Sequence, residues 1–174
     1  MRVYPLITYF PYGYGYWNAV PSYGSSYGSS YGSWMPQPQM PVLRDHGRRP
    51  YVVNIRQAAL QNRTFRTALW TGKYLQLTLM NIGVGEEIGL EVHRDHDQFI
   101  RIEQGQGLVQ MGDRRDRLSF QMPVYDNYAI FIPAGTWHNL INTGNRPLKL
   151  YSIYAPPEHP FGTVHPTKAD QPST

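Results

Sequence analysis

The sequence predicts an all-β fold in which short strands form a single barrel or sandwich. The first observation is a series of short segments between residues 75 and 155 that are rich in β-branched, aromatic and alternating apolar residues. The second is that Gly, Pro, Asn or Asp interrupts the chain in nearly every gap between these segments. Many short strands separated by turn residues, without a long helical pattern, are typical of β-barrels and sandwiches.

The predicted elements follow one another in chain order. The β-branched run 51–55 (YVVNI) predicts a strand, and residues 56–70 begin with the composition of a short helix. Further strands are predicted at residues 75–82, 89–93, 98–103, 107–112, 118–122, 128–133, 138–142 and 148–155. We therefore expect a barrel domain over residues 49–165, followed by a flexible tail at 166–174.

The N-terminal part, residues 1–48, has a different composition. A four-residue repeat, SYGSSYGSSYGSW, runs from Ser22 to Trp34, and the first 43 residues hold a single charged side chain, Arg2. Gly- and Ser-rich sequence without a periodic apolar face predicts a disordered segment, whose tyrosines are available for self-association or for an assembly partner. A passive linker is the alternative. The composition resembles the Gly/Tyr-rich stretches of bacterial spore-coat proteins.

Composition and charge exclude several classes of site and partner. The chain has no cysteine, which excludes disulfides, thiolate metal sites and a Cys nucleophile. The formal net charge is +4, but the basic residues are scattered, and a nucleic-acid surface needs them clustered with stacking aromatics. No apolar run approaches membrane-spanning length. We expect no nucleic-acid partner and no membrane span, and a location in the cytoplasm or, in a spore-forming bacterium, in the spore coat.

Two spaced motifs stand out within the predicted barrel. The first consists of Gly85, five residues, Glu91-Val92-His93, four residues, Gln98, six residues and Gly105. The second consists of Asn127, five residues, Pro133-Ala134-Gly135, two residues, His138, three residues and Asn142. They resemble the two motifs of the cupin family, G-x5-HxH-x4-E-x6-G and G-x5-PxG-x2-H-x3-N, over a stretch of about residues 50 to 165. The resemblance implies a single jelly-roll-like cupin barrel around one divalent transition metal, which is Zn, Fe, Mn, Ni or Co.

The resemblance also implies a set of metal ligands, with two departures from the family pattern. The first histidine of the family falls on Glu91 and its glutamate on Gln98, whereas His93 and His138 match unchanged. The implied ligands are therefore Glu91, His93, Gln98 and His138. Asn127 replaces a turn glycine, which is tolerated because Asn accepts a positive φ better than most residues.

Strand periodicity supports the same set independently. Residues two apart on a strand share a face, so Glu91 and His93 point the same way. The polar stretch 94–97 predicts a turn, after which Gln98 returns across the hairpin on the inner face. His96 is expected to be a solvated residue of that turn, not a ligand.

The catalytic group stays open at the level of sequence. The proline-rich segment 156–168 carries His159 and His165; it either folds back over the barrel mouth and supplies a proton-transfer group, or crosses the surface as an exposed tail. His165 and Tyr151 are the catalytic candidates.

Three functions are compatible with these observations. The chain resembles compact bacterial cupins grouped with mannose-6-phosphate isomerase, whose metal set is also one Gln, one Glu and two His, with Gln and Glu in opposite positions. This implies a metal-dependent isomerase of a small sugar or sugar phosphate. The set Glu91, His93 and His138 also resembles the facial triad of Fe(II) enzymes, which makes a dioxygenase the second hypothesis. The third is a non-enzymatic binding or structural cupin that its Tyr-rich segment anchors.

A homodimer is expected, because cupins commonly pair their barrels. The predicted strand 51–55 is available to extend the sheet of a neighbouring copy and to cover an exposed edge.

Overall fold

The computed structural model describes residues 40–171. The predictions for the N-terminal repeat and for the last three residues lie outside the described residues. Within them the all-β prediction is confirmed, since the chain forms two antiparallel sheets and one short α-helix. The elements are α1 (Ile55–Gln61), β1 (Arg66–Thr71), β2 (Gln76–Ile82), β3 (Asp97–Gln104), β4 (Gly107–Gly112), β5 (Phe120–Val124), β6 (Ala129–Ile132), β7 (Trp137–Asn142), β8 (Leu148–Ala155) and β9 (Val164–His165). A 3₁₀ turn, Lys168–Asp170, follows β9.

The two sheets have different sizes and enclose the main core between them. The larger sheet has the strand order β6-β3-β8-β2-β1-β9, and the smaller has the order β5-β4-β7. Apolar side chains of both sheets meet in one buried cluster, to which β8 contributes Leu148 and Leu150 and β7 contributes Leu140. Packing of two inner faces against each other is what closes a β-barrel or sandwich.

A second, smaller core lies on the outer face of the six-stranded sheet. Ala58 and Ala59 of α1 pack there against Leu69 and Leu79, and residues of the segment 43–55 surround them. Residues 43–48 belong to the part of the chain that we assigned to the low-complexity segment, but they contact the barrel: the backbone N–H of His46 donates to the carbonyl of Leu69. The outer face of this sheet is thus partly covered by chain that precedes the barrel.

The prediction of a strand at residues 51–55 is wrong. Residues 51–54 have no regular secondary structure, and Ile55 begins α1. The side chain of Asn54 accepts a hydrogen bond from the backbone N–H of Gln57 and so caps the helix. Asn is a favoured N-cap residue, and this cap outweighs the strand preference of the preceding valines. The proposed pairing of 51–55 as an added edge strand therefore loses its basis.

Another strand prediction needs correction, and the structure adds a strand that was not predicted. Residues 89–93 form no strand but a single bridge, between Glu91 and His138. The proline-rich segment after β8 does contain a strand, the two-residue β9, which pairs with β1. Asn127 has φ 71, as expected for a residue that replaces a turn glycine.

Candidate metal centre

Glu91 and His138 are brought together by the backbone. The N–H of Glu91 donates to the carbonyl of His138 at 3.0 Å, and the N–H of His138 donates to the carbonyl of Glu91 at 2.9 Å. Residues that exchange both hydrogen bonds in an antiparallel bridge have side chains on the same side of the sheet. Backbone hydrogen bonds alone therefore hold together two residues that are 47 positions apart.

The turn before His138 positions His93 as well. Gly135 adopts φ 79, and its N–H donates to the carbonyl of His93 at 2.6 Å. The turn closes on itself through a hydrogen bond from the N–H of Thr136 to the carbonyl of Pro133. A positive φ favours glycine, which explains why this turn needs Gly at its third position.

Three of the predicted ligands converge at the end of the barrel. The Nε2 atom of His138 lies 3.3 Å from Oε1 of Glu91, and Nε2 of His93 lies 3.5 Å from the same oxygen. Nδ1 of His138 lies 2.9 Å from the carbonyl oxygen of Thr136, and as a donor there it leaves Nε2 with its lone pair facing the cluster. One atom from each side chain can be chosen so that all three lie within 4.8 Å of one another.

Gln98 occupies the adjoining position on β3. Its Nε2 donates to Oγ of Ser152 on β8 at 2.9 Å, and its Oε1 is buried and has no hydrogen-bond partner within residues 40–171. In the sheet Gln98 lies opposite Tyr154, whose ring is 5.5 Å from that of His93. Ser152 thus holds the amide so that its unpaired oxygen is the atom available to a metal.

The centre contains a buried anion. Glu91 is 5% exposed. Burial alone would raise the pKa of its carboxyl, but the neighbouring imidazoles of His138 and His93, together with the charge of Arg66, hold that pKa well below its usual range. Glu91 is therefore ionised at neutral pH, in surroundings where a carboxylate needs a compensating cation.

His96 is buried, which contradicts its predicted place in a solvated turn. It is 6% exposed, and its ring stacks on His93 with the centroids 4.6 Å apart. Its Nδ1 lies 2.9 Å from Asp95, and its Nε2 lies 3.2 Å from Glu158. Glu158 comes from a distant part of the chain and covers the turn, so the polarity of the stretch did not indicate exposure.

The segment after β8 folds back against the barrel. The N–H of His159 donates to Oε1 of Gln76, and Nε2 of Gln76 donates to the carbonyl of His159, both at 2.9 Å. The rings of His159 and Tyr154 meet edge to face with their centroids 5.2 Å apart, and the ring of His165 lies 6.2 Å from that of His159. Burial lowers the pKa of His159 to about 3 and also lowers that of His165. Both histidines are consequently neutral at pH 7.

Tyr151 and Tyr154 lie on opposite faces of β8. Tyr151 packs with the outer core around Leu79, away from the histidines, whereas Tyr154 is fully buried beside them. Strand alternation could have indicated an inward-facing Tyr154, since it is two positions after Ser152 and shares its face. No sequence pattern indicated a place near the centre for Arg66, whose side chain donates to the hydroxyl of Tyr154. Tyr154, Arg66 and Glu158 are the residues near the centre that the sequence analysis missed.

Comparisons with known proteins agree with this architecture. The family model for the cupin domain (Cupin_2) matches residues 78–154. The uncharacterized protein YrkC of Bacillus subtilis (strain 168) is 68% identical over 129 residues, which cover 74% of this chain and 69% of YrkC. The uncharacterized protein L612 of Acanthamoeba polyphaga mimivirus is 42% identical over 115 residues, which cover 66% of this chain and 70% of L612.

A solved structure is also similar to this chain in sequence and fold. The crystal structure of BH2720 from Bacillus halodurans is 68% identical, with a TM-score of 0.73 over 73% of this chain and 96% of that one. Within residues 40–171, no helix is long and apolar enough to cross a membrane. The matched domain, the relatives and the two-sheet barrel together show that the chain belongs to the cupin superfamily.

Proposed function

We propose that this cupin binds one divalent transition metal through Glu91, His93, Gln98 and His138, and that it isomerises a small sugar or sugar phosphate. One observation carries the metal site: Oε1 of Gln98 and Nε2 of His93 are both buried and have no hydrogen-bond partner among the described residues. Such atoms are rare in folded proteins and call for an additional ligand. Nε2 of His93 lies 3.5 Å from the Glu91 carboxylate, and Gln98 lies opposite Tyr154, whose ring packs against His93.

The donor set fits a divalent transition metal. It offers two imidazole nitrogens, one carboxylate and one amide oxygen, and no sulfur. Nitrogen and oxygen donors of this kind suit Zn, Fe, Mn, Co and Ni, and fewer than six protein ligands leave positions for a substrate. The positive charge of the metal would also balance the buried carboxylate of Glu91.

The chemistry divides between the metal and the chain. A metal held here would act as a Lewis acid on the carbonyl and hydroxyl oxygens of the substrate. An isomerase also needs a group that moves a proton between adjacent carbons. Glu91 is engaged as a ligand, so it is not free for that role.

Glu158 is the group that we assign to proton transfer. Its Oε1 lies 3.6 Å from Nδ1 of His93, and its Oε2 lies 3.2 Å from Nε2 of His96. Its side chain is 34% exposed, which allows exchange of the proton with solvent. The carboxylate therefore stands beside the four proposed ligands, and with His93 and His96 it forms a second group of donor atoms within 4.8 Å of one another.

Aldose–ketose exchange tests this proposal. The protein, loaded in turn with Zn, Fe, Mn, Co and Ni, is incubated with hexose phosphates, and exchange is followed by NMR. We expect Glu158→Gln to retain the metal and to lose about 100-fold or more in rate, since general base catalysis contributes about that much. Glu86→Gln removes an exposed carboxylate outside the centre and should leave the rate unchanged. Absence of exchange with all five metals would overturn the isomerase assignment.

A dioxygenase is the second candidate, and the compact triad of Glu91, His93 and His138 favours it. Two histidines and one carboxylate with open positions are the arrangement of non-haem Fe(II) oxygenases. Substrate-dependent uptake of O2 by the Fe(II)-loaded protein, together with iron as the metal of the anaerobically purified protein, would replace the isomerase by this function.

A further inference from the structure

Arg66 is a buried cation that forms no ion pair within the described part of the chain. It is 1% exposed, and no carboxylate among residues 40–171 forms an ion pair with its guanidinium. Its side chain donates to the hydroxyl of Tyr154, and its Nε is buried without any partner in the described part of the chain. A buried charge that has no counter-ion and an unused hydrogen-bond donor destabilises the folded protein. A bound anion would supply both the opposite charge and the acceptor.

Arg66 faces the interior that holds the candidate metal centre. On β1 it lies opposite Met80, a residue of the core between the two sheets. The hydroxyl that it contacts belongs to Tyr154, whose ring lies within 6.0 Å of both His93 and His96. The guanidinium and the predicted ligands are therefore connected through one buried side chain.

The balance of charges in this interior favours the binding of an anion. With a divalent cation bound, Glu91 offsets one of its two positive charges, and Arg66 adds another. The other ligands, Gln98 and the histidines, are neutral when they bind a metal. Glu158 offsets one more charge from the edge of the centre, so the interior stays positive until a ligand enters.

We infer that Arg66 and Tyr154 bind the anionic group of the substrate, a phosphate or a carboxylate, beside the metal. The planar guanidinium matches the oxygens of both groups, and its open Nε–H is available to donate. The oxygen of Tyr154 accepts from Arg66, which leaves the phenolic hydrogen free to donate as well. The inference rests on the proposed function, because the ligand belongs to the same centre, and it restricts the substrate to small anions.

Anion-dependent thermal stability tests this inference without an activity assay. The Tm of the metal-loaded protein is measured in increasing sodium phosphate or sodium acetate, against sodium chloride at the same ionic strength. We expect one of the two anions to raise Tm by several degrees with a saturable dependence, as ligand binding to the folded state does. The phosphate and acetate arms identify which group the site takes.

Substitutions assign the effect to Arg66. Arg66→Met should abolish the anion-dependent rise and raise Tm in chloride, because it replaces a buried charge by an apolar side chain of similar length. Arg66→Lys keeps the charge and should retain a weaker response. Arg63→Met, at an exposed arginine, should respond as the wild type does.

The outcomes separate this inference from the proposed function. A wild-type protein that holds metal but responds equally to phosphate, acetate and chloride would overturn the anion site alone. A response that persists in Arg66→Met would overturn it too, since the anion would then bind elsewhere. If no metal is bound but the Arg66-dependent response remains, the metal function fails and the anion site stands.

Discussion

The two ends of the barrel interior differ in chemistry although the same three strands build both. In the register of β2, β8 and β3, one row across the sheet is Met80, Leu150 and Ile102, which are all apolar. Two positions further along each strand the row is Thr78, Ser152 and Ile100, and the next row is Gln76, Tyr154 and Gln98. We call these ends the apolar half and the polar half, with the Thr78 row as their boundary.

The difference shows that stability and chemistry are separated along the strands. The apolar half belongs to the continuous core between the sheets, where burial of side chains stabilises the fold. The polar half contains buried atoms that have no partner among the described residues, among them Oγ1 of Thr78 and Oε1 of Gln98, and its Tyr154 packs against His93 of the candidate metal centre. Polar groups left open in this way destabilise a fold unless a ligand completes them.

The largest expected effect comes from breaking the apolar half. Leu150→Ala removes a fully buried side chain and should lower the free energy of unfolding by about 2–5 kcal/mol. Urea denaturation followed by fluorescence measures this, with Leu75→Ala at an exposed position as a control that should shift it by less than about 0.5 kcal/mol. The folded fraction of Leu150→Ala should still bind metal. A loss of metal from that fraction would show that the halves are not separate.

A smaller effect is expected from loosening the polar half at Ser152. Ser152→Ala removes the acceptor that holds Nε2 of Gln98, so metal affinity should fall about 10–100-fold, as it does when the hydrogen-bond partner of a ligand is removed. Competition with a chromophoric chelator gives the affinity. Thr78→Val, in the same row, removes a hydroxyl that has no partner in the described structure and should leave the affinity unchanged. Equal affinities in wild type and Ser152→Ala would contradict the positioning role of Ser152.

The pH dependence of stability sharpens the comparison at His159. Burial lowers its pKa from 6.5 to about 3, so below pH 6.5 the unfolded chain takes up a proton that the folded chain does not. The free energy of unfolding should therefore fall as the pH decreases from 6.5, by at most about 1.4 kcal/mol per pH unit for this group. The carboxyl of Glu91, whose pKa is also lowered, contributes in the same direction only below its ordinary pKa of 4.5.

Chelator-treated protein is the appropriate sample for this measurement, because protonation of metal ligands would otherwise add its own pH dependence. His159→Gln should flatten the decrease above pH 4.5, and His165, whose pKa is lowered as well, accounts for a remaining slope. His46→Gln, on the outer face beside Tyr51, is the control and should keep the wild-type slope. Identical slopes in wild type and His159→Gln would show that burial of His159 does not govern the acid sensitivity.

Periodicity and spacing predicted what depends on local sequence. The two-residue spacing of Glu91 and His93 predicted that their side chains act together, although residues 89–93 form a bridge and not a strand. The turn before His138 was recognisable from Pro133 and Gly135. The structure brings Glu91, His93 and His138 together at the place that the spacing indicated. The alternation in β2 was also recognised, but not that its polar side, Gln76 and Thr78, faces the interior.

The features that were missed depend on distant parts of the chain. His96 is buried because Glu158, 62 positions later, covers it, and no local pattern contains that contact. Arg66 gains its place from Tyr154, 88 positions away. The strand prediction at 51–55 failed for a local reason, because the capping side chain of Asn54 starts a helix. Site residues inside the two spaced motifs were thus predictable, whereas those that depend on contacts outside the motifs were not.

The metal content of the purified protein tests the central claim most directly. Wild type, Glu91→Ala, His138→Ala and the control His46→Ala are purified anaerobically, and each is analysed for bound metal by mass spectrometry, with circular dichroism as a check of folding. We expect about one transition-metal ion per chain in wild type and in the control, and almost none in Glu91→Ala and His138→Ala, because each of these substitutions removes a donor from a site of four. Equal metal content in all four proteins, or none in the wild type, would contradict it.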